Sequence, residues 1–201
     1  MENSEETNIL EKYIDNVGTI LQELKKYNNE VNQASDKIIH ALEKGNKVFI
    51  CGNGGSNCDT QHISAELTGR FLDGRERKGL AAIALPTSLA AVTAIANDYG
   101  YEFVFERELQ SLSNPGDILI GISTSGNSTN VLNAIKYAKN NNIYVISILG
   151  KTGGKIKGLS DIEFVVPSKE TGVIQIVHSI IYHAICDKID EYFVNKNQPK
   201  Q

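Results

Sequence analysis

Short apolar runs alternate with amphipathic helical patterns along most of this chain. Five runs have the near-continuous apolar character of strands that are buried on both faces of a parallel sheet. They cover residues 47–51, 80–85, 117–122, 143–149 and 162–166. Helical patterns follow over residues 57–68, 88–96, 102–112, 129–140 and 171–193, with a further short helix after Gly153 and Gly154. This alternation predicts an α/β fold: a five-stranded parallel sheet with helices on both faces.

Two further helical patterns precede the first strand. The first covers about residues 6–27, and its apolar stripe requires burial against another surface; the second covers about residues 29–44 and ends at Gly45. We expect residues 1–44 to form N-terminal helices that pack on the domain or on a neighbouring subunit. Residues 45–193 then form the α/β domain, and the polar residues 194–201 form a disordered tail.

A hydroxyl-rich turn separates the strand at 117–122 from the next helix. Backbone N–H groups of such a turn, together with the positive end of the helix, favour an anion. The hydroxyl groups add hydrogen-bond donors without adding charge. We therefore expect this turn to hold the phosphate of a small molecule, although a plain helix cap is the alternative. Its hydroxyl residues are Ser123, Thr124, Ser125 and Ser128.

A glycine-rich turn follows the first strand in the same way. Asn53, Gly54 and Gly55 lie between that strand and a helix, and glycine lets a ligand approach the backbone closely. One such turn is weak support for a site, but two turns of this kind in one small domain carry more weight. In an open parallel sheet both turns lie beyond the carboxyl ends of the strands, where ligands bind.

The composition excludes several classes of function. The chain has 201 residues, a net charge of −4 and no block of Lys or Arg, so a nucleic-acid partner is not expected. The charged stretch at residues 75–78 is interpreted as a solvated loop. No apolar run approaches membrane-spanning length. Three cysteines without a paired spacing, together with an acidic N-terminal stretch, indicate a soluble cytoplasmic protein.

Two pairs of residues could carry chemistry. His62 and Glu66 are four residues apart on one helix, so both side chains can reach one metal ion or one proton. The alternative is an ordinary helix surface. In the last helix, Gln175 and His183 are eight residues apart, which is about 80° around the helix axis and about 12 Å along it. Sharing one ion would require them to converge from opposite sides or to come from different subunits; a buried structural role is the alternative for His183.

Asn97 and Asp98 end a helical pattern and precede Tyr99 and Gly100. Asp98 could bind a sugar hydroxyl or cap the following helix, and these alternatives are equally weighted. A phosphate site beside a carboxylate and an imidazole suits proton transfer through an enediol, the chemistry of aldose–ketose isomerisation. A divalent metal on His62 and Glu66 could stabilise the enediolate as a Lewis acid.

Several of these motifs together resemble the phosphoheptose isomerase family, over about residues 45–190. The resemblance implies the three-layer, flavodoxin-like SIS (sugar isomerase) fold and conversion of sedoheptulose 7-phosphate to glycero-manno-heptose 7-phosphate, the first step towards activated heptose for bacterial surface polysaccharide. It also implies a homotetramer with active sites between subunits. The motifs are Gly52-Asn53-Gly54-Gly55-Ser56, Asp59-x-Gln61-His62-x-x-x-Glu66, Thr93 to Tyr101, Gly121 to Ser128 and Ile174-Gln175-x-x-His178.

The resemblance also implies a role for each matching residue. Glu66 and His183 would be the acid/base pair. One zinc ion per subunit would be bound by His62, Glu66, Gln175 and His183. The substrate would contact Asn53, Gly54, Gly55, Glu66, Asn97, Asp98, Ser123, Thr124, Ser125, Ser128 and Gln175.

Two departures from the family pattern stand out. Asn57 and Cys58 replace an Ala-Ala pair, and Gly172-Val173 replaces a segment that usually ends in Arg. The second change could shift the substrate preference, so an isomerase of another phosphosugar is an alternative. Another is a non-catalytic SIS protein such as a replication-initiation regulator that binds a protein partner. That relative lacks the histidine of the last helix, so His183 favours an enzyme.

Overall fold

The computed structural model describes residues 8–197. Its helices and strands alternate as the sequence predicts, and most bounds differ from the predicted ones by one to three residues. In chain order the elements are α1 (Ile9–Leu24), a 3-10 turn (Lys25–Tyr27), α2 (Asn28–Glu43), β1 (Val48–Gly52), α3 (Gly55–Thr68), β2 (Ala82–Leu85), α4 (Leu89–Asp98), a 3-10 turn (Tyr101–Phe103), α5 (Val104–Leu112), β3 (Ile118–Ser123), α6 (Thr129–Asn140), β4 (Tyr144–Gly150), β5 (Ile162–Val166) and α7 (Thr171–Asn197).

The five strands form one parallel sheet in the order β2-β1-β3-β4-β5. The predicted five-stranded parallel sheet is therefore confirmed, and its strand order is the flavodoxin-like one. The order changes direction at β1, which lies between β2 and β3. The strand ends beside that switch point are where an open α/β sheet binds its ligands.

Alternating side chains of the central strands divide the core into two layers. On β1, Val48 and Ile50 face a cluster that includes α2, α3 and α7, whereas Phe49 and Cys51 face a cluster that includes α5 and α6. All four side chains are fully buried. Because both faces of the sheet are covered, only its edges and the strand ends are open to a ligand.

The N-terminal helices pack on α7, and α2 also contacts β5. The apolar stripe of α1 is only partly covered within this chain. Ile20 is buried, but Ile9, Leu10 and Ile14 are 71, 69 and 59% exposed. The first two turns of α1 therefore present an apolar surface to the exterior of the single chain.

Two local predictions are wrong. The segment after Gly153 and Gly154 forms turns instead of a short helix, because Gly153, Gly154 and Gly158 all have positive φ angles. The last helix does not end at Phe193, since α7 continues to Asn197 and takes in the first part of the predicted tail. Residues 6 and 7 of the first predicted helix, and residues 198–201 of the tail, lie outside the described residues.

Within the part of the chain that the structure describes, every helix is too short or too polar to cross a membrane.

Candidate active site

The two predicted turns meet at one edge of the sheet. Gly52, the last residue of β1, is in register with Ile122 on β3, so Asn53 and Ser123 emerge side by side. Asn53 is tied to the start of α6 through a pair of amide hydrogen bonds with the buried Asn130, both of 2.8 Å. The Tyr101 hydroxyl donates to Asn53 Oδ1 at 3.0 Å. These bonds hold the glycine-rich turn against the hydroxyl-rich turn.

The hydroxyl groups of residues 123–128 converge. Ser123 Oγ lies 3.0 Å from Ser128 Oγ and 3.5 Å from Ser125 Oγ. The Gly126 N–H donates to Ser123 Oγ at 3.1 Å, and the Asn127 N–H donates to Ser125 Oγ at the same distance. We call residues 123–128 the hydroxyl loop. It gathers several neutral donors at the N-terminus of α6 without a neighbouring Lys or Arg within the loop.

Ser128 tests the plain-cap interpretation of this loop. It is the N-cap residue of α6, yet within the described chain its side chain forms no capping hydrogen bond to the helix. By contrast, the N-cap Ser88 of α4 accepts a hydrogen bond from the Ala91 N–H at 3.1 Å. The plain-cap alternative therefore does not describe Ser128, whose hydroxyl contacts Ser123 and remains available to an anion.

The turns after β4 hold the hydroxyl loop in place through hydrogen bonds from their backbone N–H groups. The Ile156 N–H donates to the Gly126 carbonyl at 3.0 Å, and the Lys155 N–H donates to Asn127 Oδ1 at 3.1 Å. Gly126 has a φ of 66°, and a Cβ there would collide with the Gly153 carbonyl. The loop thus depends on glycine at this contact.

α3 and α7 run side by side from the glycine-rich turn. The Gln175 amide on α7 packs on Gly55 at the start of α3, where a Cβ would clash with it. Two turns further along both helices, Tyr182 Oη lies 3.3 Å from His62 Nδ1. Gln175 therefore lies near the glycine-rich turn, and His183 lies about 12 Å further along α7.

The side chains of His62, Glu66 and His183 cluster where α3 packs beside α7. One potential ligand atom from each of the three side chains lies within 4.8 Å of the others. His62 Nε2 lies 2.8 Å from Glu66 Oε1, and the His62 and His183 rings are 4.9 Å apart between centroids. Two imidazoles and a carboxylate in this arrangement fit a zinc ion, for which they are typical ligands.

The orientation of His183 is set by its own helix. Its Nδ1 lies 2.7 Å from the Ser179 carbonyl. Because a carbonyl only accepts, Nδ1 carries the proton and donates it, which leaves Nε2 with the lone pair. The ring therefore offers Nε2 to a proton or to a metal ion.

A half-buried carboxylate lies one turn before His62. Burial raises the pKa of Asp59, although the nearby His62 and the Tyr182 hydroxyl oppose this shift. Burial, reinforced by the Asp59 charge, raises the pKa of Tyr182 to about 12. Tyr182 is therefore a neutral phenol at ordinary pH, and its O–H can orient the His62 ring.

Asn97 and Asp98 remain apart from these groups in the single chain. Both are exposed at the end of α4, and Asn97 Nδ2 donates to Asp98 Oδ1 at 2.8 Å. Within residues 8–197, neither side chain forms a hydrogen bond with a candidate residue outside this pair. Their predicted contact with substrate stays a prediction.

Comparison with known proteins identifies the family. A family model described as "SIS domain" matches residues 12–150. A curated phosphoheptose isomerase from Helicobacter pylori is 47% identical over 189 residues, which cover 94% of this chain and 97% of that protein. The chain belongs to the phosphoheptose isomerase family.

Solved structures agree with this assignment. A phosphoheptose isomerase from Neisseria gonorrhoeae superposes with a TM-score of 0.82 at 39% identity, covering 90% of this isomerase and 97% of that chain. One from Francisella tularensis gives a TM-score of 0.85 at 35% identity, covering 90% and 96%. The predicted SIS fold and isomerase class are confirmed, and the non-catalytic regulator is not favoured.

Sequence reasoning missed the residues that support the site of this isomerase. Asn130 pairs with a residue 77 positions away, and Tyr182 contacts one 120 positions away. Spacing along a single element carries no signal for such contacts. The spacing of Asp59 and His62, three residues apart on α3, could have suggested that they share a helix face.

Proposed function

We propose that this isomerase converts sedoheptulose 7-phosphate to D-glycero-D-manno-heptose 7-phosphate, the first step of activated-heptose biosynthesis for a bacterial surface polysaccharide. The observation that carries the proposal is the cluster of His62 and Glu66 on α3 with His183 on α7, in which one ligand atom of each lies within 4.8 Å of the others. α3 begins at the glycine-rich turn. The 47% identity to the Helicobacter pylori phosphoheptose isomerase supports the substrate class.

The hydroxyl loop would bind the phosphate. Its Ser123, Ser125 and Ser128 hydroxyls and the N-terminus of α6 supply neutral donors, which suit a dianion that must be released after each turnover. Asn53 and Gly54 border the same edge and would contact the sugar chain. A small cavity lined by Asn53, Gly54, Asn57 and Tyr101, with a volume of about 200 Å³, opens beside them.

Glu66 and His183 would move the protons. In this step His183 starts with a second proton, which is bound at Nε2. The Glu66 carboxylate takes a proton from C1 of the ketose, while His183 Nε2 donates its proton to the carbonyl oxygen at C2, which gives the neutral enediol. Glu66 then returns its proton to C2, and His183 Nε2 removes the proton from the oxygen at C1. This sequence produces the aldose and restores both residues.

A zinc ion fits the same residues. His62, Glu66 and His183 would hold it, with Gln175 as the fourth ligand. When bound, it would polarise the sugar oxygens as a Lewis acid, in place of the proton that His183 Nε2 otherwise supplies. Because Gln175 lies about 12 Å from His183 along α7, we place it in the site of a neighbouring subunit.

The assembly we propose is a homotetramer with its active sites between subunits. The exposed apolar residues Ile9, Leu10 and Ile14 of α1 support it, as do Ile176 and Ile180 of α7, which are 42 and 41% exposed. Covering such residues is a usual role of a subunit interface. A cytoplasmic location is part of the same proposal and rests on the cysteines, which are all free in the described chain.

Turnover of the sugar tests this function directly. The purified protein is incubated with sedoheptulose 7-phosphate, with added zinc and after chelation, and the heptose phosphate is followed by NMR. We expect conversion that zinc supports. Absence of conversion under both conditions, or conversion only of a pentose or amino-sugar phosphate, would discard the heptose assignment.

A further inference from the structure

A buried ion pair joins the end of α3 to α7. Arg77 lies in the loop after α3, and its Nε donates to Asp190 Oδ1 at 2.6 Å. Both side chains are 0% exposed. The interpretation of residues 75–78 as solvated loop charges is therefore wrong for Arg77. A buried ion pair of this kind contributes little net stability over an apolar pair of similar size. Stability alone therefore does not explain why the pair is present.

The rest of the Arg77 guanidinium binds the last turn of α3. Nη2 donates to the carbonyl of Glu66 at 2.8 Å, and Nη1 donates to the carbonyl of Leu67 at 2.9 Å. The last carbonyls of a helix have no partner within the helix, and a cation is favoured at that end. One planar group thus binds the backbone of Glu66 directly.

Asp190 connects the same guanidinium to the helix of His183. It lies seven residues after His183 on α7, which is two turns along the same helix face. Arg77 therefore links the residue that bears the carboxylate to the helix that bears the imidazole. A shift of α3 against α7 would change the distance between these two groups without touching the hydroxyl loop.

We propose that Arg77 is a positioning residue for the isomerase reaction: paired with Asp190, it fixes the Glu66 backbone relative to α7 and so sets the geometry between Glu66 and His183. The inference rests on the proposed acid/base roles of those two residues. Proton transfer requires close placement of donor and acceptor, and a displacement of about 1 Å can lower a rate roughly 100-fold.

Arg75 provides a matched control. It forms an ion pair with Asp187 on the same face of α7 and approaches Asp190 Oδ2 at 3.6 Å. Within the described chain it forms no hydrogen bond to α3. Arg75→Met therefore removes the ion pair with Asp187 and the longer one with Asp190 Oδ2, while leaving the carbonyl contacts of Arg77 in place.

The decisive variant replaces both buried charges. Arg77→Met combined with Asp190→Leu removes the pair together, which avoids leaving an unpaired buried charge. We expect kcat for the heptose phosphate to fall roughly 30-fold or more, because Glu66 loses its backbone anchor. KM should stay within about threefold of the wild-type value, since the hydroxyl loop is untouched. Arg75→Met should leave both constants within about threefold.

Arg77→Lys gives a second readout and decides the matter if the double variant does not fold. Lysine keeps the charge beside Asp190 but lacks the planar fork that reaches both carbonyls. Its kcat should lie between those of the wild type and the double variant, at an unfolding temperature close to wild type. The inference would be overturned if the folded double variant kept the wild-type kcat, or if its activity fell only through a higher KM. If only Arg77→Lys folds, a wild-type kcat in that variant would overturn it. Lack of turnover in the wild type would instead refute the proposed function.

Discussion

Ser128 occupies a helix-cap position without acting as a cap in the part of the chain that the structure describes. Its position before α6 is that of a cap, but within the described residues its hydroxyl contacts Ser123 and no backbone N–H of the helix. Ser88 occupies the same position before α4 and does form the capping bond. The two serines therefore allow binding and capping to be tested separately.

We expect Ser128→Ala to weaken substrate binding with little loss of stability. A hydrogen bond to a charged group contributes about 1.5–3 kcal/mol, so KM for the heptose phosphate should rise at least roughly 10-fold. Ser88→Ala should instead lower the free energy of unfolding by about 1 kcal/mol and leave KM unchanged. Steady-state kinetics and urea unfolding of both variants measure the contrast. Equal effects on KM would mean that Ser128 does not bind phosphate.

At this scale the sequence predicts the residues that lie on one element and fails for those that meet across the fold. His62 and Glu66 follow from helical spacing, and the structure places them 2.8 Å apart. Arg77 gives no local signal, because its partner Asp190 is 113 positions away. Neighbouring charges even favoured a solvated loop.

At the level of secondary-structure elements, two glycines determine how the loops around the candidate site pack against each other. The hydroxyl loop and the turns after β4 contact each other through Gly126 and Gly153, where there is no room for a Cβ. Helical periodicity around Gly153 suggested a short helix, and the positive φ angles of its glycines exclude that. A pattern of polar and apolar positions does not report φ, so this loop could not be predicted from periodicity.

Gly126→Ala and Gly158→Ala separate backbone strain from this contact. Both positions have positive φ, at 66° and 84°, but a Cβ at Gly158 meets open space. Gly158→Ala should therefore cost about 1 kcal/mol of unfolding free energy and leave KM unchanged. Gly126→Ala should cost more and should raise KM at least roughly 10-fold, because the loop must move away from Gly153. Matching KM values in the two variants would contradict the proposed role of the loop.

At the scale of the whole molecule, the pH dependence of stability reports a buried imidazole. His178 is 0% exposed on α7, and within residues 8–197 neither ring nitrogen has a hydrogen-bond partner. Burial lowers its pKa from 6.5 to about 4, and the nearby Leu149 backbone opposes the shift only in part. The unfolded chain therefore takes up a proton below pH 6.5 that the folded chain does not accept until about pH 4.

This difference predicts that stability from His178 is complete above pH 6.5 and falls as the pH drops towards 4, by roughly 3 kcal/mol at most. His178→Leu removes the titration. Urea unfolding of wild type and variant between pH 4.5 and 7 should show the wild type losing stability relative to His178→Leu as the pH falls. Parallel curves over this range would show that His178 does not titrate on unfolding.

The overall architecture is the part that sequence predicts best. Near-continuous apolar strands separated by helices leave few arrangements other than a parallel sheet with two covered faces. The candidate active site is harder to predict from the sequence. Within a single chain, Gln175 lies about 12 Å from His183 along α7, and Asn97 and Asp98 are exposed. In the proposed homotetramer, contacts between copies would complete the site, and no pattern within one chain encodes such contacts.

The proposed isomerase reaction requires Glu66 to carry the proton between two carbon atoms of a bound heptose phosphate. The most direct measurement is NMR of sedoheptulose 7-phosphate in D2O with wild type and Glu66→Gln, together with calorimetry of sugar binding. Wild type should form heptose phosphate, and Glu66→Gln should lose roughly 1000-fold in both turnover and deuterium incorporation while binding the sugar with similar affinity. Near wild-type turnover in Glu66→Gln, or loss of binding without a change in kcat, would contradict the account.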